Sequence, residues 1–275
     1  MLLGHEIVQK RFTELVDTSS LFHGYIFFGD SRVGKFSFAY ALAYYIEHGS
    51  WDISTRYLNE TSIIVPDEKT TIGIEQVRSI KKFLLEKPVY SAYRTVIVDN
   101  ADCLTAHAQH AFLKIAEEPP LYGLIILVLS NPESLFDTLQ SRFHKIYFPR
   151  VQQSAIKNFM NKEYRVSLEE ADELARISFG CVGQAVQLHT DAAIQKRMSD
   201  AISFVTDKYK RNALMNHLAN NKEEIEPFLQ AVIMYYGSNP VLYYKELRVA
   251  LKRLHAMIDA NTNKRLQMDA FVWNI

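Results

Sequence analysis

"YIFFGDSRVGKFSFAYALAYYI" (residues 25–46) contains, in order, a short β-rich run, a glycine loop and a run typical of a helix. Gly29, Gly34 and Lys35 have the spacing of the phosphate-binding loop G-x-x-x-x-G-K-[ST], which joins a strand to the following helix. That motif continues with Ser or Thr, whose hydroxyl binds Mg²⁺, but the residue here is Phe36. The stretch therefore predicts a strand–loop–helix unit and leaves open whether its loop supports catalysis.

The composition is that of a folded protein with more than one domain. The chain has 275 residues, 48% hydrophobic and 23% charged, with only ten Gly and eight Pro, a balance that excludes a disordered chain. Its 31 basic and 31 acidic residues cancel, so no overall field attracts nucleic acid or an anionic membrane. Any contact with DNA must therefore be local or shared with partner proteins.

Two features predict a soluble protein of the reducing cytoplasm. Cys103 and Cys181 are the only cysteines, too few for a disulfide framework or a four-thiolate zinc site. The first residues, "MLLGHEIVQK", lack the basic and apolar regions of a secretory signal, and no later run approaches the ~20 apolar residues of a membrane span. We therefore expect an intracellular protein without a membrane partner.

The first half of the chain has the pattern of a parallel sheet with crossover helices. Short β-rich runs alternate with helical periodicity between residues 22 and 150. Strands are predicted at residues 25–28, 62–65, 95–100, 124–131 and 144–148. Gly29, Asp99 and Asn131 lie at the ends of three of these strands, and ligands of open parallel sheets collect at the carboxyl ends. The sequence therefore predicts one crevice that contains all three residues.

Helical periodicity accounts for the rest of the chain. A helix over residues 73–86 places an apolar stripe along one side, formed by Ile74, Val77, Ile80 and Leu84. After Pro149 the strand signal disappears, and amphipathic segments follow one another, one of them with Ser167 as a predicted N-cap. We therefore expect an α/β region followed by an all-helical region.

Several motifs between residues 72 and 148 resemble those of the AAA+ clamp-loader family. They are "VIVDNAD" (96–102), "EEPP" (117–120) and "QSRF" (140–143). Within that family the sequence is most similar to the delta-prime subunits of bacterial DNA polymerase III, from "GHEIV" near the start to "DANTNKRLQMDAF" near the end.

The resemblance implies a layout of three domains. An α/β AAA+ module with a RecA-like, five-stranded parallel sheet is expected at residues 1–150. A small helical lid domain is expected at 151–191, and an all-α collar domain at 192–275. In this family the collar joins five subunits into an open ring.

The resemblance also implies a nucleotide site, which this sequence keeps only in part. Its residues are Gly29, Ser31, Gly34, Lys35, Asp99 and Asn131. Backbone N–H groups at a helix N-terminus can hold a phosphate without the missing hydroxyl. Weak binding of ADP or ATP and a relic loop that binds nothing therefore both remain open.

Four departures from the family pattern argue against hydrolysis and bound metal. Phe36 removes a protein ligand of Mg²⁺, and Asn100 replaces the glutamate that polarises water in catalytic relatives, because a carboxamide is no general base. No sensor arginine follows Gly180, where Gln184 lacks the charge. The segment "EHGSWDISTRYLNET" (47–61) lacks the four cysteines of the zinc module found in many bacterial relatives. We expect no metal, no zinc and no required cofactor.

Arg142 is the predicted catalytic residue. "QSRF" resembles the Ser-Arg-Cys motif of clamp loaders, with Phe143 in place of the cysteine. The resemblance implies that Arg142 reaches the γ-phosphate in the site of a neighbouring subunit, where an arginine finger accelerates phosphoryl transfer by about 10³ to 10⁵. A surface salt bridge is the alternative.

Two other sets of charges have alternative interpretations. Lys81, Lys82, Lys87 and Arg94 lie near a region that faces the DNA channel in this family, and a solvated helix face explains them equally well. Asp102 belongs to the delta-prime-like pattern, or is a charge favoured at a helix N-terminus.

The resulting hypothesis is a non-hydrolysing, delta-prime-like subunit of the DNA polymerase III clamp loader. It would help to load the sliding clamp onto primed DNA, with the gamma/tau ATPase subunits and the delta subunit as partners, in the cytoplasm at the replisome and nucleoid. The alternatives are an active P-loop ATPase, such as a gamma/tau-like subunit or a related AAA+ protein, and an interaction scaffold without an arginine finger.

Overall fold

The computed structural model describes residues 2–53, 57–68, 70–259 and 263–272. The chain divides into two compact units, Met1–Val151 and Gln152–Ile275. Part of the segment that lacks the zinc cysteines, 54–56, and the end of the last long predicted helical segment, 260–262, lie outside the described residues. The separation of a lid domain from a collar domain stays a prediction.

The first unit is a five-stranded parallel sheet with helices, as predicted. The strands are ordered β2-β3-β4-β1-β5, and all four neighbouring pairs are parallel. The elements are α1 (Glu6–Asp17), β1 (Gly24–Phe28), α2 (Lys35–His48), β2 (Thr61–Ile64), α3 (Ile74–Leu85), β3 (Arg94–Val98), α4 (Ala106–Glu117), β4 (Gly123–Leu129), α5 (Asp137–Gln140) and β5 (His144–Tyr147).

The central strands form the core of this unit. All seven residues of β4 are buried, because a strand covered on both faces requires a continuous apolar run. Helices α3 and α4 bury the faces that their apolar periodicity predicts, with Val77 and Ile80 on one and Phe112 and Ile115 on the other.

Two strands end two residues earlier than the sequence predicts. Strand β3 ends at Val98 rather than at Asn100, because Asn100 adopts a left-handed conformation with a φ of 51° that an extended strand cannot accommodate. Strand β4 ends at Leu129, where the next two amides donate to a side chain instead of continuing the ladder. The polar residues thus lie in the loops that follow the strands.

The second unit is all-helical. Its helices are α6 (Gln153–Tyr164), α7 (Leu168–Ile177), α8 (Val182–Thr190), α9 (Ala192–Thr206), α10 (Lys208–Asn220), α11 (Ile225–Ser238), α12 (Tyr244–Asp259) and α13 (Lys264–Val272). Ser167 caps α7 as predicted, since its hydroxyl accepts from the amide of Glu170 at 3.1 Å. One hydrophobic cluster extends from Ile177 to Phe271. Every helix in the described part of the chain is too short or too polar to cross a membrane.

Candidate functional site

The two glycines of the loop after β1 are required by its backbone. Gly29 has a φ of 140°, and a Cβ there would lie 2.4 Å from the carbonyl oxygen of Phe148. Gly34 has a φ of 105° and precedes the first turn of α2. Both conformations disfavour any residue with a side chain. The fold alone therefore explains these glycines, whether or not the loop holds a phosphate.

The ammonium group of Lys35 is bound to the loop itself. The residue is only 6% exposed, and its Nζ donates to the carbonyl oxygens of Gly29 at 2.8 Å and Asp30 at 2.7 Å. Asp99, in the loop after β3, is half-buried, and this burial raises the pKa of its carboxyl group above the ordinary value. The amide of Asn100 and the charge of Lys35 lower that pKa in part. The charge of Lys35 is thus close enough to act on the carboxyl group of Asp99.

The position of the missing hydroxyl is filled by an aromatic ring. Phe36 is half-buried, and its ring centroid lies 6.4 Å from that of Tyr40. Ser37 follows and is exposed, but successive helical residues are rotated by about 100°, so its hydroxyl does not replace the missing one. Phe36 therefore offers no oxygen ligand to a Mg²⁺ ion, which prefers a shell of oxygen ligands, whereas the carboxylate of Asp99 is still present.

The end of β4 is held to the loop after β3 by Asp102. Its carboxylate accepts from the amides of Ser130 at 2.7 Å and Asn131 at 3.2 Å, and from the hydroxyl of Ser134 at 3.0 Å. The interpretation of Asp102 as only a charge at a helix N-terminus was therefore incomplete. The carboxylate joins two loops of the crevice, a contact that sequence periodicity does not reveal.

Ser31 and Asn131 also lie on this edge of the sheet. The hydroxyl of Ser31 is 3.2 Å from that of Ser130, which links the loop after β1 to the loop after β4. The side-chain oxygen of Asn131 accepts from the amide of Glu133 at 3.1 Å and so caps a short 3₁₀ turn. Strands β3, β4 and β1 are neighbours, so the predicted residues do converge on one crevice.

Arg142 lies at the opposite edge of the sheet. It precedes β5, whereas the glycine loop follows β1, and these two strands are parallel neighbours. The four residues of β5, roughly 13 Å long at about 3.3 Å per residue, separate the two edges. Arg142 is therefore placed away from the crevice of its own chain.

The guanidinium of Arg142 contacts two groups of its own unit. Its Nη2 lies 2.9 Å from Oε1 of Glu117, and its Nη1 donates to the carbonyl oxygen of Thr138. The side chains of Arg142 and Glu117 are 33% and 51% exposed. The salt bridge considered as the alternative is therefore present, on a surface that remains accessible.

His23 and Gly24, which the sequence did not indicate, contact the backbone of Arg142 and the ring of Phe143 that follows it. Phe143 is buried against Gly24, where an added Cβ would lie 2.5 Å from the ring. His23 makes a hydrogen bond to the backbone of Arg142, and burial lowers the pKa of this histidine. No local pattern distinguishes His23 or Gly24, because both act through a segment far along the chain.

Arg94 is part of a largely buried ion-pair network, so the interpretation of this residue as a candidate for the DNA-facing surface is corrected. Its side chain is 12% exposed and donates to Glu60 at 2.6 Å and Glu86 at 2.7 Å. Its Nε donates to the carbonyl oxygen of Phe83 at 3.0 Å. The exposed residues Lys81, Lys82 and Lys87 keep their two interpretations.

Glu60 is the buried anion of this network. Burial alone would raise the pKa of this carboxyl group, but the amides of Val89 and Tyr90 and the charge of Arg94 bring that pKa below the ordinary value. The amides lie 2.7 and 3.1 Å from Oε1. Glu60 therefore remains ionised and joins the start of β3 to the loop before it.

In the second unit, Gln184 lies on α8, and its Nε2 is 3.7 Å from the sulfur of Met234. The described residues contain no group of three or more His, Cys, Asp or Glu side chains that is placed to hold a metal ion.

The sheet order, the glycine loop after β1 and the acidic residue after β3 define an AAA+ module of the RecA-like type. A family model described as "DNA polymerase III, delta subunit" matches residues 4–152, more than half of the chain. The chain belongs to this family, within the AAA+ clamp loaders.

The relatives of similar sequence include replication factor C small subunits and DNA polymerase III subunits. The chain is 28% identical over 236 residues to the replication factor C small subunit of Methanococcus maripaludis. This match covers 82% of this chain and 72% of that protein. It is 25% identical over 281 residues to the DNA polymerase III subunit tau of Bacillus subtilis, covering 89% of this chain and 50% of the relative. The match to the gamma/tau subunit of Mycobacterium tuberculosis is 26% identical and covers 59% of this chain and 31% of that one.

Solved structures share the fold. A DNA polymerase III gamma subunit-related protein from Thermotoga maritima has a TM-score of 0.60 at 17% identity, over 96% of this chain and 97% of that one. A RuvB variant from the same organism has a TM-score of 0.51 at 17% identity, over 97% and 88%.

Proposed function

We propose that this chain is a non-hydrolysing, delta-prime-like subunit of the DNA polymerase III clamp loader. In this role it helps to load the sliding clamp onto primed DNA and presents Arg142 to the nucleotide site of a neighbouring ATPase subunit. The observation that carries the proposal is the separation of two features within one unit. A crevice that lacks the metal-binding hydroxyl and the water-activating glutamate lies at one edge of the sheet, and an accessible arginine lies at the other.

Three observations support a crevice that does not hydrolyse nucleotide. Phe36 stands where Mg²⁺ requires a hydroxyl, and Asn100 stands where water requires a base. The Nζ of Lys35 bonds to the carbonyl oxygens of its own loop. Ligation of the metal and activation of water are separate requirements of phosphoryl transfer, so the loss of both is not compensated by the remaining glycines. The backbone amides at the start of α2 still permit ADP or ATP to bind weakly.

The position of Arg142 supports a role in another subunit. An arginine acts on phosphoryl transfer only when its guanidinium lies against the transferring phosphate. Arg142 is separated from its own glycine loop by the length of β5, and its side chain is partly exposed. A neighbouring subunit that packs against this edge would receive the arginine.

The family supplies the expected setting of this role. Gamma/tau ATPase subunits and the delta subunit are the proposed partners, and the sliding clamp and primed DNA are reached through the assembled complex at the cytoplasmic replisome. The proposed lid at 151–191 follows the module, and the proposed collar at 192–275 joins the subunits. Lys81, Lys82 and Lys87 are exposed on or near α3, where they are available to DNA phosphates.

The test is the DNA-stimulated ATP turnover of the assembled pentamer in which this chain carries Arg142→Ala. We expect turnover at the neighbouring site to fall by about 10³-fold, since the charge on the transferring phosphate loses its partner. Arg150→Ala is the matched control, because Arg150 follows β5 at the other edge of the sheet and pairs with Asp30. Equal turnover of the two variants and the wild type would remove the finger role.

An active P-loop ATPase is the second candidate. It is favoured by the similarity to the tau subunit of Bacillus subtilis across 89% of the chain, and by the presence of Gly29, Gly34 and Lys35. This candidate requires Mg²⁺-dependent hydrolysis by the isolated chain, and Lys35→Ala would abolish it.

A further inference from the structure

Glu117 competes with any external anion for the guanidinium of Arg142. The two side chains form an ion pair at 2.9 Å, and a second guanidinium nitrogen donates to the carbonyl oxygen of Thr138. In this position the positive charge of Arg142 is neutralised by a carboxylate of its own chain. An anion from another subunit must displace Glu117 to make the same contacts.

The backbones on both sides of the ion pair are fixed. Glu117 is the last residue of α4, whose Phe112 and Ile115 are buried, and Pro119 limits the backbone that follows. Arg142 lies next to the buried ring of Phe143. Rotation of the two side chains is therefore sufficient to release the guanidinium.

Because the ion pair is partly exposed, another anion can replace the carboxylate of Glu117. A salt bridge between partly exposed side chains is weak, because water and salt screen the charges. A terminal phosphate offers more charge and more acceptor oxygens than one carboxylate, and a guanidinium binds it in a bidentate manner. The phosphate should therefore displace Glu117 at high occupancy of the neighbouring site.

We propose that Glu117 is a positioning residue that holds Arg142 against α4 until the terminal phosphate of a nucleotide in the neighbouring subunit displaces it. This inference rests on the proposed arginine-finger function. The ion pair reduces the fraction of Arg142 that is ready to bind the phosphate. It thereby raises the nucleotide concentration that the neighbouring site requires for half-maximal turnover.

The first arm of the test observes the ion pair in the isolated chain. Nitrogen-detected NMR of arginine side chains reports the hindered rotation of each guanidinium, and Arg142→Lys identifies the signal of Arg142. We expect Glu117→Gln to speed the rotation of this guanidinium. Glu118→Gln is the matched control, because it removes the adjacent exposed carboxylate and leaves the Glu117–Arg142 pair in place. Identical rotation in Glu117→Gln and wild type would overturn the inference.

The second arm measures the ATP dependence of turnover in the assembled pentamer. Glu117→Gln should lower the apparent KM for ATP by about two- to five-fold, the range that an exposed ion pair supports, because more Arg142 is ready to bind. The kcat should stay unchanged, since saturating nucleotide displaces the carboxylate in the wild type as well. Glu118→Gln should leave both constants unchanged.

The outcomes separate this inference from the function on which it rests. An unchanged apparent KM in Glu117→Gln, together with a loss of turnover in Arg142→Ala, would overturn the role of Glu117 and leave the finger in place. A loss of kcat in Glu117→Gln would also overturn it, because Glu117 would then assist the reaction rather than compete with it. If Arg142→Ala has no effect on turnover, the proposed function fails and the inference falls with it.

Discussion

Glu60 has a larger structural role than its place beside a short edge strand suggests. It is 2% exposed and accepts hydrogen bonds from two backbone amides and from Arg94. These contacts lower the pKa of the carboxyl group despite its burial. A group with a lowered pKa in the folded state stabilises the protein above its unfolded pKa, and it loses this contribution as the pH falls through the folded value.

We predict that Glu60→Gln lowers the free energy of unfolding at pH 7 by about 3 kcal/mol, because the largely buried charge of Arg94 loses its main partner. The difference from the wild type should shrink as the pH falls below the ordinary glutamate value of 4.5, where the wild-type carboxyl group also becomes protonated. Urea unfolding from pH 7 to pH 3 measures this. Glu86→Gln is the control and should cost less than about 1 kcal/mol, because Glu86 is 61% exposed. A pH-independent difference would contradict the account.

Single residues can be interpreted from the sequence where a motif defines what should stand at their position. Phe36 and Asn100 are recognisable because the glycine loop and the acidic strand end define what should stand there. The role of Arg94 was misjudged, since its partner Glu60 lies 34 residues away and no periodicity joins them. The hydrogen bonds of Lys35 and Asp102 likewise depend on the path of the backbone.

At the scale of the elements, β1 begins at a glycine because the segment before β5 packs against it. A Cβ on Gly24 would lie 2.5 Å from two ring atoms of Phe143, which is itself buried. The same contact fixes the backbone next to Arg142. The start of β1 and the position of the arginine are therefore coupled.

We predict that Gly24→Ala lowers the free energy of unfolding by about 1–3 kcal/mol, because the added methyl group forces Phe143 out of its packed position. Denaturant unfolding measures the loss. The control is Gly73→Ala, where an added Cβ meets no atom within 4 Å, so the expected change is below about 1 kcal/mol. Equal stability of Gly24→Ala and the wild type would show that the segment before β5 is mobile.

The elements themselves were largely predictable, whereas their ends were not. Strand β4 is a continuous apolar run, and α3 shows a clear apolar stripe, so burial dictates both patterns. The ends of β3 and β4 were set two residues too late, because Asn100 turns left-handed and Asp102 captures the amides after Leu129. Such local events follow from contacts between loops.

At the scale of the whole molecule, each unit has a hydrophobic core of its own. One cluster extends from Ile26 to Phe143, and the other from Ile177 to Phe271. A unit with its own core is expected to fold alone. The sequence predicted the change from α/β to all-helical structure near Pro149, since the strand signal stops there.

We therefore predict that residues 1–151 fold without the rest of the chain. The fragment should unfold in one cooperative transition, with the large positive heat-capacity change of a folded domain. Differential scanning calorimetry measures both. Amides of β1, β3 and β4 should be the most protected against hydrogen exchange. A broad, non-cooperative transition would contradict the independence of the first unit.

The proposed function requires that the crevice after β1 does not cleave nucleotide. The direct test is steady-state phosphate release from ATP by the purified chain with Mg²⁺, beside Lys35→Ala. We predict no release above background and no difference between the two proteins. Sustained release that Lys35→Ala abolishes would contradict the account.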